Sequence, residues 1–386
     1  MPLYSAIYSI PYLCVAGILI ILTIHKYSLN IERLFSGVVF ITFFGTRGLI
    51  GWDWQSYYPM FKHTPLLWNL DFQSFFILDG TAVVEPGFTL YLSVMKTFLG
   101  NWEGFIFIST IIDWLLLDSF LKRYSKNYSF SVLIYFCLCL GTEIDLLRNA
   151  KSLLIFLFSI KFIEEKKIFY YLILMFVALT FHYSALILLP LYFLGNYKLS
   201  KSLFVVVFIL ANIIYVFHIP LMTLATKAIG SALGDVIGGK LDNYSSSEYI
   251  RGFTIGYFFK FINTCLIIWK YNNMSNSQKF APFYLLLYLI MIFVTFGMND
   301  ISSVSERIED LFMPVCCILF PVLIKEIRLS LNRKICFSYL ILFLTLKLYS
   351  DTRIVMYNYD SFIFNNIIFE KKEIEYGNYA LQIQNH

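Results

Sequence analysis

Along this chain, predominantly apolar runs return again and again, separated by short polar junctions. The runs fall at approximately 4–24, 34–50, 103–121, 129–142, 149–163, 168–181, 183–194, 202–219, 253–270, 280–298, 311–324 and 335–349. Most approach the roughly 20 residues that a bilayer crossing needs. They lack strict alternation, and in lipid every backbone amide must be paired within its own segment or in a closed barrel, so they predict helices. The expected class is an all-α polytopic membrane protein with about 11–12 membrane helices. No linker, repeat or low-complexity segment interrupts it, which predicts a single polytopic domain over 1–386. The run after "EPGF" (88–99) is too short to cross and predicts an interfacial or re-entrant helix at 86–99.

Charge sets the orientation. The junctions 25–33, 122–127, 161–167, 195–201, 270–279 and 325–334 are rich in Lys and Arg, whereas 51–87, 142–148, 220–252 and 298–310 are neutral or acidic. Short basic loops favour the cytoplasmic side. All basic junctions fall inside if 168–194 crosses twice, as two short helices meeting near His182 at the outer surface. Each arm has about 13 residues and would reach about 20 Å of a 30 Å core. A single long tilted helix is the rival. The N-terminus, the large loops 51–87 and 220–252 and a C-terminal tail over 350–386 are then expected on the outer face.

Composition sharpens the class and excludes others. The chain is 59% hydrophobic and 14% charged, against roughly 25% charged in soluble domains. The first apolar run meets Lys26 without a basic region before it or a small-residue cleavage site after it, so no cleavable signal peptide is expected. The seven cysteines lie in apolar runs without a C-x-x-C spacing and read as small hydrophobes. The net charge of +5 is accounted for by the orienting loops, and no basic aromatic-interleaved patch suggests nucleic acid.

Several polar residues resist a purely structural account. In "GWDWQSYYPMF" (51–61), the Trp and Tyr residues fit a headgroup-level aromatic belt, which leaves Asp53 and Gln55 unexplained. Taken alone, Asp53 reads as a solvated loop carboxylate. Glu85 precedes Pro86 at the start of a helix, where a carboxylate also serves as a cap. In "TEIDLLRNAKSLL" (142–154), Arg148 and Lys151 share a helical face. With the helix N-terminus beside them they offer an anion site. The alternatives are pairing of Arg148 with Asp145 or Glu143, and snorkelling of Lys151. In "SSVSERIEDLF" (302–312), Ser303 and Glu306 fit a capping box, and Arg307 fits an i,i+3 pair with Asp310. Lys240 and Tyr244 sit in a polar outer loop and carry a weak signal. Together Asp53, Glu85, Arg148, His182 and Arg307 come from five parts of the chain and fall on one expected membrane face. Membrane-edge ionisable groups are functional candidates by default. Arginine suits phosphate, and His or a carboxylate suits a general base.

In this order the residues resemble a known family. The motifs are G-x-D-x-x-x-Y (Gly51, Asp53, Tyr57), E-P-x-F (Glu85, Pro86, Phe88), Arg148 with Ala150, F-H-x-S-A (Phe181, His182, Ser184, Ala185), K-L-x-x-Y (Lys240, Leu241, Tyr244) and E-R-I (Glu306, Arg307, Ile308). Over about 45–310 they resemble the EpsG family, Wzy-type polymerases of bacterial surface polysaccharide. Asn149 departs from the Gln expected after the arginine.

The resemblance implies a GT-C-like helical bundle in the bacterial inner membrane, with its site facing the periplasm. The implied reaction transfers a growing glycan from undecaprenyl pyrophosphate to the sugar of a new lipid-linked repeat unit. Arg148, Arg307 and Lys151 would hold the pyrophosphate, and Asp53 or His182 would act as base. Glu85 would position the acceptor or brace the loop, and Tyr57, Gln55, Lys240 and Tyr244 would touch the glycan. No cofactor and no obligatory metal are expected. The implied partners are lipid-linked glycans, the bilayer, a chain-length regulator and a flippase, and no nucleic acid. An O-antigen ligase performs the same chemistry on another acceptor. A flippase would line a path across the bilayer with charge, often in paired repeats. A membrane O-acyltransferase would open its site to the cytoplasm.

Overall fold

The computed structural model describes residues 3–25, 27–72, 75, 77–78, 82–224, 252–364 and 369–384. The protein is an all-α polytopic membrane protein. Among the described residues, β structure is confined to a two-residue antiparallel pairing of Ile77–Leu78 with Ala82–Val83 and two isolated bridges. The contacts divide the chain into two compact units, Met1–Tyr192 with Tyr339–His386, and Phe193–Ser338.

The first unit carries α1 (Ala6–Ile24), α2 (Leu29–Gly45), α3 (Trp54–His63), α4 (Pro86–Leu99), α5 (Trp102–Tyr124), α6 (Tyr128–Leu138), α7 (Leu140–Ile144), α8 (Leu147–Glu164) and α9 (Ile168–Phe181). Here α1 packs on α6, α2 on α5, and α8 on both α5 and α9. The starts of α5 and α6 are set by Asn101 and Asn127, whose side chains accept the N–H groups of Gly104 (2.8 Å) and Phe130 (3.2 Å). Pro86 opens α4, where its missing N–H costs nothing. Helix α9 buries Tyr171, Met175 and Ala178 while Phe169, Leu172, Ile173 and Phe176 stay exposed. A helix apolar on both its packed and its open face is suited to lipid.

The second unit carries α11 (Lys201–Val216), α12 (Ile255–Ser275), α13 (Ala281–Gly297), α14 (Ser302–Phe312) and α15 (Cys316–Glu326). Within it α13 packs on α11 and α14, and α12 packs on α15. The boundaries between units fall inside the short α10 (Leu191–Leu194) and the long α16 (Ser330–Thr352). Helix α17 (Phe369–Gln384) completes the first unit.

Among the described residues three helices, Ala6–Ile24, Trp102–Tyr124 and Ser330–Thr352, are long and apolar enough to cross a membrane, and five apolar helices are shorter. The 168–194 run breaks at the expected place. Helix α9 stops at Phe181, His182 is extended (φ −157°, ψ 130°), and a 3-10 helix occupies Tyr183–Leu188. The stop is local: the Ser184 N–H, turned away from helical bonding, donates to His182 Nδ1 (3.2 Å). The run expected as one span over 129–142 is instead divided at Cys139 into α6 and α7. The segment 350–386, expected as a tail, is folded where described. The Gly51 N–H donates to the Met356 carbonyl (2.9 Å) and the Gly48 N–H to the Asp360 carbonyl (2.8 Å). From α17, Phe369 stacks on Tyr58 (4.7 Å) and packs edge-on against Trp54.

Candidate functional site

The loop before α3 turns on Gly51, whose φ of +86° is unfavourable for residues with a Cβ. A methyl group there would also overlap the Asp145 carboxylate and Ile144. Asp145 lies in the turn between α7 and α8 and ties three segments together. Its carboxylate accepts the Trp52 N–H (2.5 Å), the Asp53 N–H (3.4 Å) and the Tyr357 hydroxyl (2.6 Å). Asp53 thereby sits at the N-cap of α3, half-buried, and its side chain does not cap the helix. Gln55 is half-buried in the first turn. Tyr57 is buried with its ring edge-on to Phe88 (5.8 Å).

Glu85 is 5% exposed at the N-cap of α4. Its carboxylate does not cap that helix; it accepts Arg148 Nη1 at 2.6 Å. Arg148 is the second residue of α8, whose N-cap, Leu146, supplies no side-chain bond. The guanidinium lies 6.0 Å from the centre of the Tyr57 ring, and its buried Nε has no hydrogen-bond partner. Both expected local pairings of Arg148 are therefore corrected. Asp145 is taken by the loop amides and Tyr357, and the Glu143 carboxylate accepts the Tyr135 hydroxyl.

One turn along α8, Lys151 is 4% exposed and neither snorkels nor faces outward. Its ammonium donates to the Asp113 carboxylate of α5 and to the Ser109 carbonyl (3.2 Å). The helical phase explains this: Lys151 points to α5, against which α8 packs. Asp113, a carboxylate in the middle of a mainly apolar run, is itself the signal that was available in the sequence.

His182 is half-buried. Its Nδ1 lies 2.7 Å from the Ser184 hydroxyl, which donates to Asn149 Oδ1 (2.9 Å). Asn149 thus joins the histidine turn to the residue after Arg148. A methyl group on Gly87 would overlap Thr180, and Tyr91 packs on Phe181 (5.7 Å). The starts of α4 and α8 and the end of α9 consequently meet, bringing Glu85, Arg148, Asn149 and His182 into one neighbourhood. Asp53 and Tyr57 adjoin it through Asp145 and Arg148.

Other expectations fall elsewhere. Arg307 belongs to the second unit, exposed on α14, and makes no ion pair among the described residues. The capping box is corrected: α14 begins at Ser302 with Ile301 as its cap, so Ser303 lies inside the first turn. That helix does form an ion pair between Glu309 and Lys260 of α12. Lys240 and Tyr244 lie outside the described residues. Among the described residues no three His, Cys, Asp or Glu side chains form a metal-binding group.

Chemically, an uncapped helix start beside an arginine is suited to an anion, with Glu85 balancing the charge until one arrives. Fold and site together define a helical membrane protein whose dispersed polar residues gather at helix ends. The EpsG family model matches residues 30–363, nearly the whole chain, and the protein belongs to the EpsG family. Membership carries a polysaccharide-polymerase-like role at the level of the family. No curated protein and no solved structure matches the chain.

Burial pushes the Asp145 carboxyl up to about 6, against the bonds from Tyr357 and Trp52 that lower it. A carboxyl raised in the folded state contributes stability fully below its unfolded value near 4. That contribution is lost as the pH rises through about 6. Asp145→Asn keeps an acceptor for the Trp52 N–H and removes the charge. In detergent, its melting temperature relative to the wild type should be highest at pH 7.5 and should fall toward pH 5. The free-energy span is on the order of 3 kcal/mol at most. A difference constant across that range would contradict the assignment.

Proposed function

We propose that this protein polymerises undecaprenyl-pyrophosphate-linked repeat units into O-antigen, capsule or exopolysaccharide. It would do so at the periplasmic face of the bacterial inner membrane, on a GT-C-like helical scaffold. The observation that supports this reading most is the meeting of Arg148, at the uncapped start of α8, with Glu85, Tyr57 and the His182 turn.

In the proposed step, a hydroxyl of the incoming repeat unit attacks the anomeric carbon of the polymer. The bond from that carbon to the pyrophosphate oxygen breaks, and the electron pair leaves with the lipid pyrophosphate. Arg148 and the α8 amides stabilise the negative charge that develops there. The hydroxyl proton passes to Asp53 or to His182, each within the same unit; such a base typically contributes about 10²–10⁴-fold. Ser184 and Asn149 hold the imidazole in place. Glu85 positions Arg148 and exchanges it with the incoming phosphate. Arginine supplies the charge, so no obligatory metal is required. Arg307 enters this reading on sequence grounds alone. Lys151, turned inward to Asp113, supports α8 and does not touch the phosphate.

The test is gel analysis of surface glycan from a deletion strain complemented with His182→Ala or Asp53→Asn at wild-type protein levels. At least one of the two should leave single-repeat glycan. Long chains from both would remove the base from this site. Unpolymerised glycan trapped on the cytoplasmic side of the deletion strain would instead indicate a flippase.

A further inference from the structure

The second unit holds a cavity of about 210 Å³ that the reaction above does not use. It opens where α11 and α13 end, beside Tyr215, His218, Ile219, Phe296, Asn299 and Asp300. Both helices start after basic junctions, so their ends share the opposite, extracytoplasmic side. We infer that this cavity is a binding site for one neutral sugar ring of the glycan.

The argument starts from Asn299. The residue is 8% exposed and lines the cavity, and its amide makes no hydrogen bond to any described residue. The amide faces a cavity, and a hydroxylated ligand there would engage its donor and its acceptor together. His218 stands beside it with φ +51°, a conformation unusual outside glycine and associated with functional sites. The turn is fixed by the Ile219 N–H, which donates to the Ile214 carbonyl (3.0 Å).

Part of the lining is apolar. Tyr215 and Phe296 pack edge-on at 5.5 Å, and the Tyr215 hydroxyl is spent on the Gly252 carbonyl (2.7 Å). A pyranose has the matching character, with C–H groups on its faces and hydroxyls around its rim. An anion is disfavoured, since among the described residues no Lys or Arg lines the cavity and Asp300 does. The Asp300 carboxylate is itself fixed by the N–H groups of Met222 (3.1 Å) and Thr223 (2.7 Å). An acyl chain would leave Asn299 unsatisfied. The volume is below the roughly 300–1,000 Å³ of sites for larger ligands, which limits the occupant to a single ring.

This inference rests on the proposed reading for the identity of the glycan, but its test does not. Full-length protein is reconstituted in nanodiscs without sugar-headed detergent. Saturation-transfer NMR is then recorded with methyl glycosides of hexoses, N-acetylhexosamines and 6-deoxyhexoses. At least one should receive saturation from the wild type, and Asn299→Leu should weaken it tenfold or more. His218→Gly, which suits the backbone angle and so preserves the fold, should weaken the same ligand. Arg148→Ala, which tests the pyrophosphate site, should leave glycoside binding unchanged even where polymer is lost. No transfer to any glycoside, or equal transfer in all variants, overturns the inference. Binding abolished by Arg148→Ala but not by Asn299→Leu overturns it too, by moving the sugar elsewhere.

Discussion

Arg148→Ala should reduce polymer formation by at least 100-fold per unit of protein in the membrane, and by stranding the buried Glu85 carboxylate it should also lower stability. The guanidinium makes a 2.6 Å bond to Glu85, beside Tyr57 and the open end of α8. Two charge-assisted bonds to a leaving pyrophosphate, each contributing about 1.5–3 kcal/mol, correspond to a loss of roughly 10²–10⁴-fold. Arg148→Lys keeps the charge but loses the planar fork, and should recover only a small part of the activity.

Glu85 separates the two roles of the pair. Glu85→Ala leaves a half-buried cation without its counter-charge, and should lower thermal stability in detergent as well as activity. Glu85→Gln keeps an acceptor for Nη1 and should fold normally. If positioning is its role, Glu85→Gln retains measurable polymerisation where Arg148→Ala does not. The measurement is chain length by gel, normalised to protein in the membrane. Full-length polymer from Arg148→Ala would end the pyrophosphate assignment.

The second large effect is expected at Lys151 and Asp113. Both are almost wholly enclosed, with side-chain exposures of 4% and 6%. Removing either partner leaves a charge buried and uncompensated, which costs about 3–5 kcal/mol. Lys151→Met and Asp113→Leu should each sharply reduce the amount of folded protein. The double variant removes both charges, and such replacements are often neutral or stabilising. It should therefore restore most of the folded protein, a large coupling in a double-mutant cycle. Its activity then decides what Lys151 does. Polymer made by the double variant marks the pair as structural support for α8. A well-folded but inactive double variant would return Lys151 to the phosphate.

These pairings show where sequence reasoning reached and where it stopped. Glu85, Arg148 and His182 were visible because each is an ionisable residue at the edge of an apolar run. The break at His182 was visible because the loop charges alternate correctly only if the chain turns back there. Arg148's partner was not visible, since Glu85 lies 63 positions away and two nearer acids looked equally suitable. The role of Asp145 was hidden for the same reason: its bond to Tyr357 spans 212 positions, into a segment that reads as a tail. Lys151 was assigned to the wrong surroundings because its helical face was known but the neighbour of that face was not.

By itself the sequence determined the membrane class, most helix positions, the turn at His182 and the family motifs, because transfer into lipid depends on the local run of side chains. The tertiary structure decided which charges meet: Arg148 with Glu85, Lys151 with Asp113, and Asp145 with the loop and Tyr357. Those choices depend on the rotation and packing of helices distant in the chain. Hydropathy, a property of one segment at a time, does not contain that information.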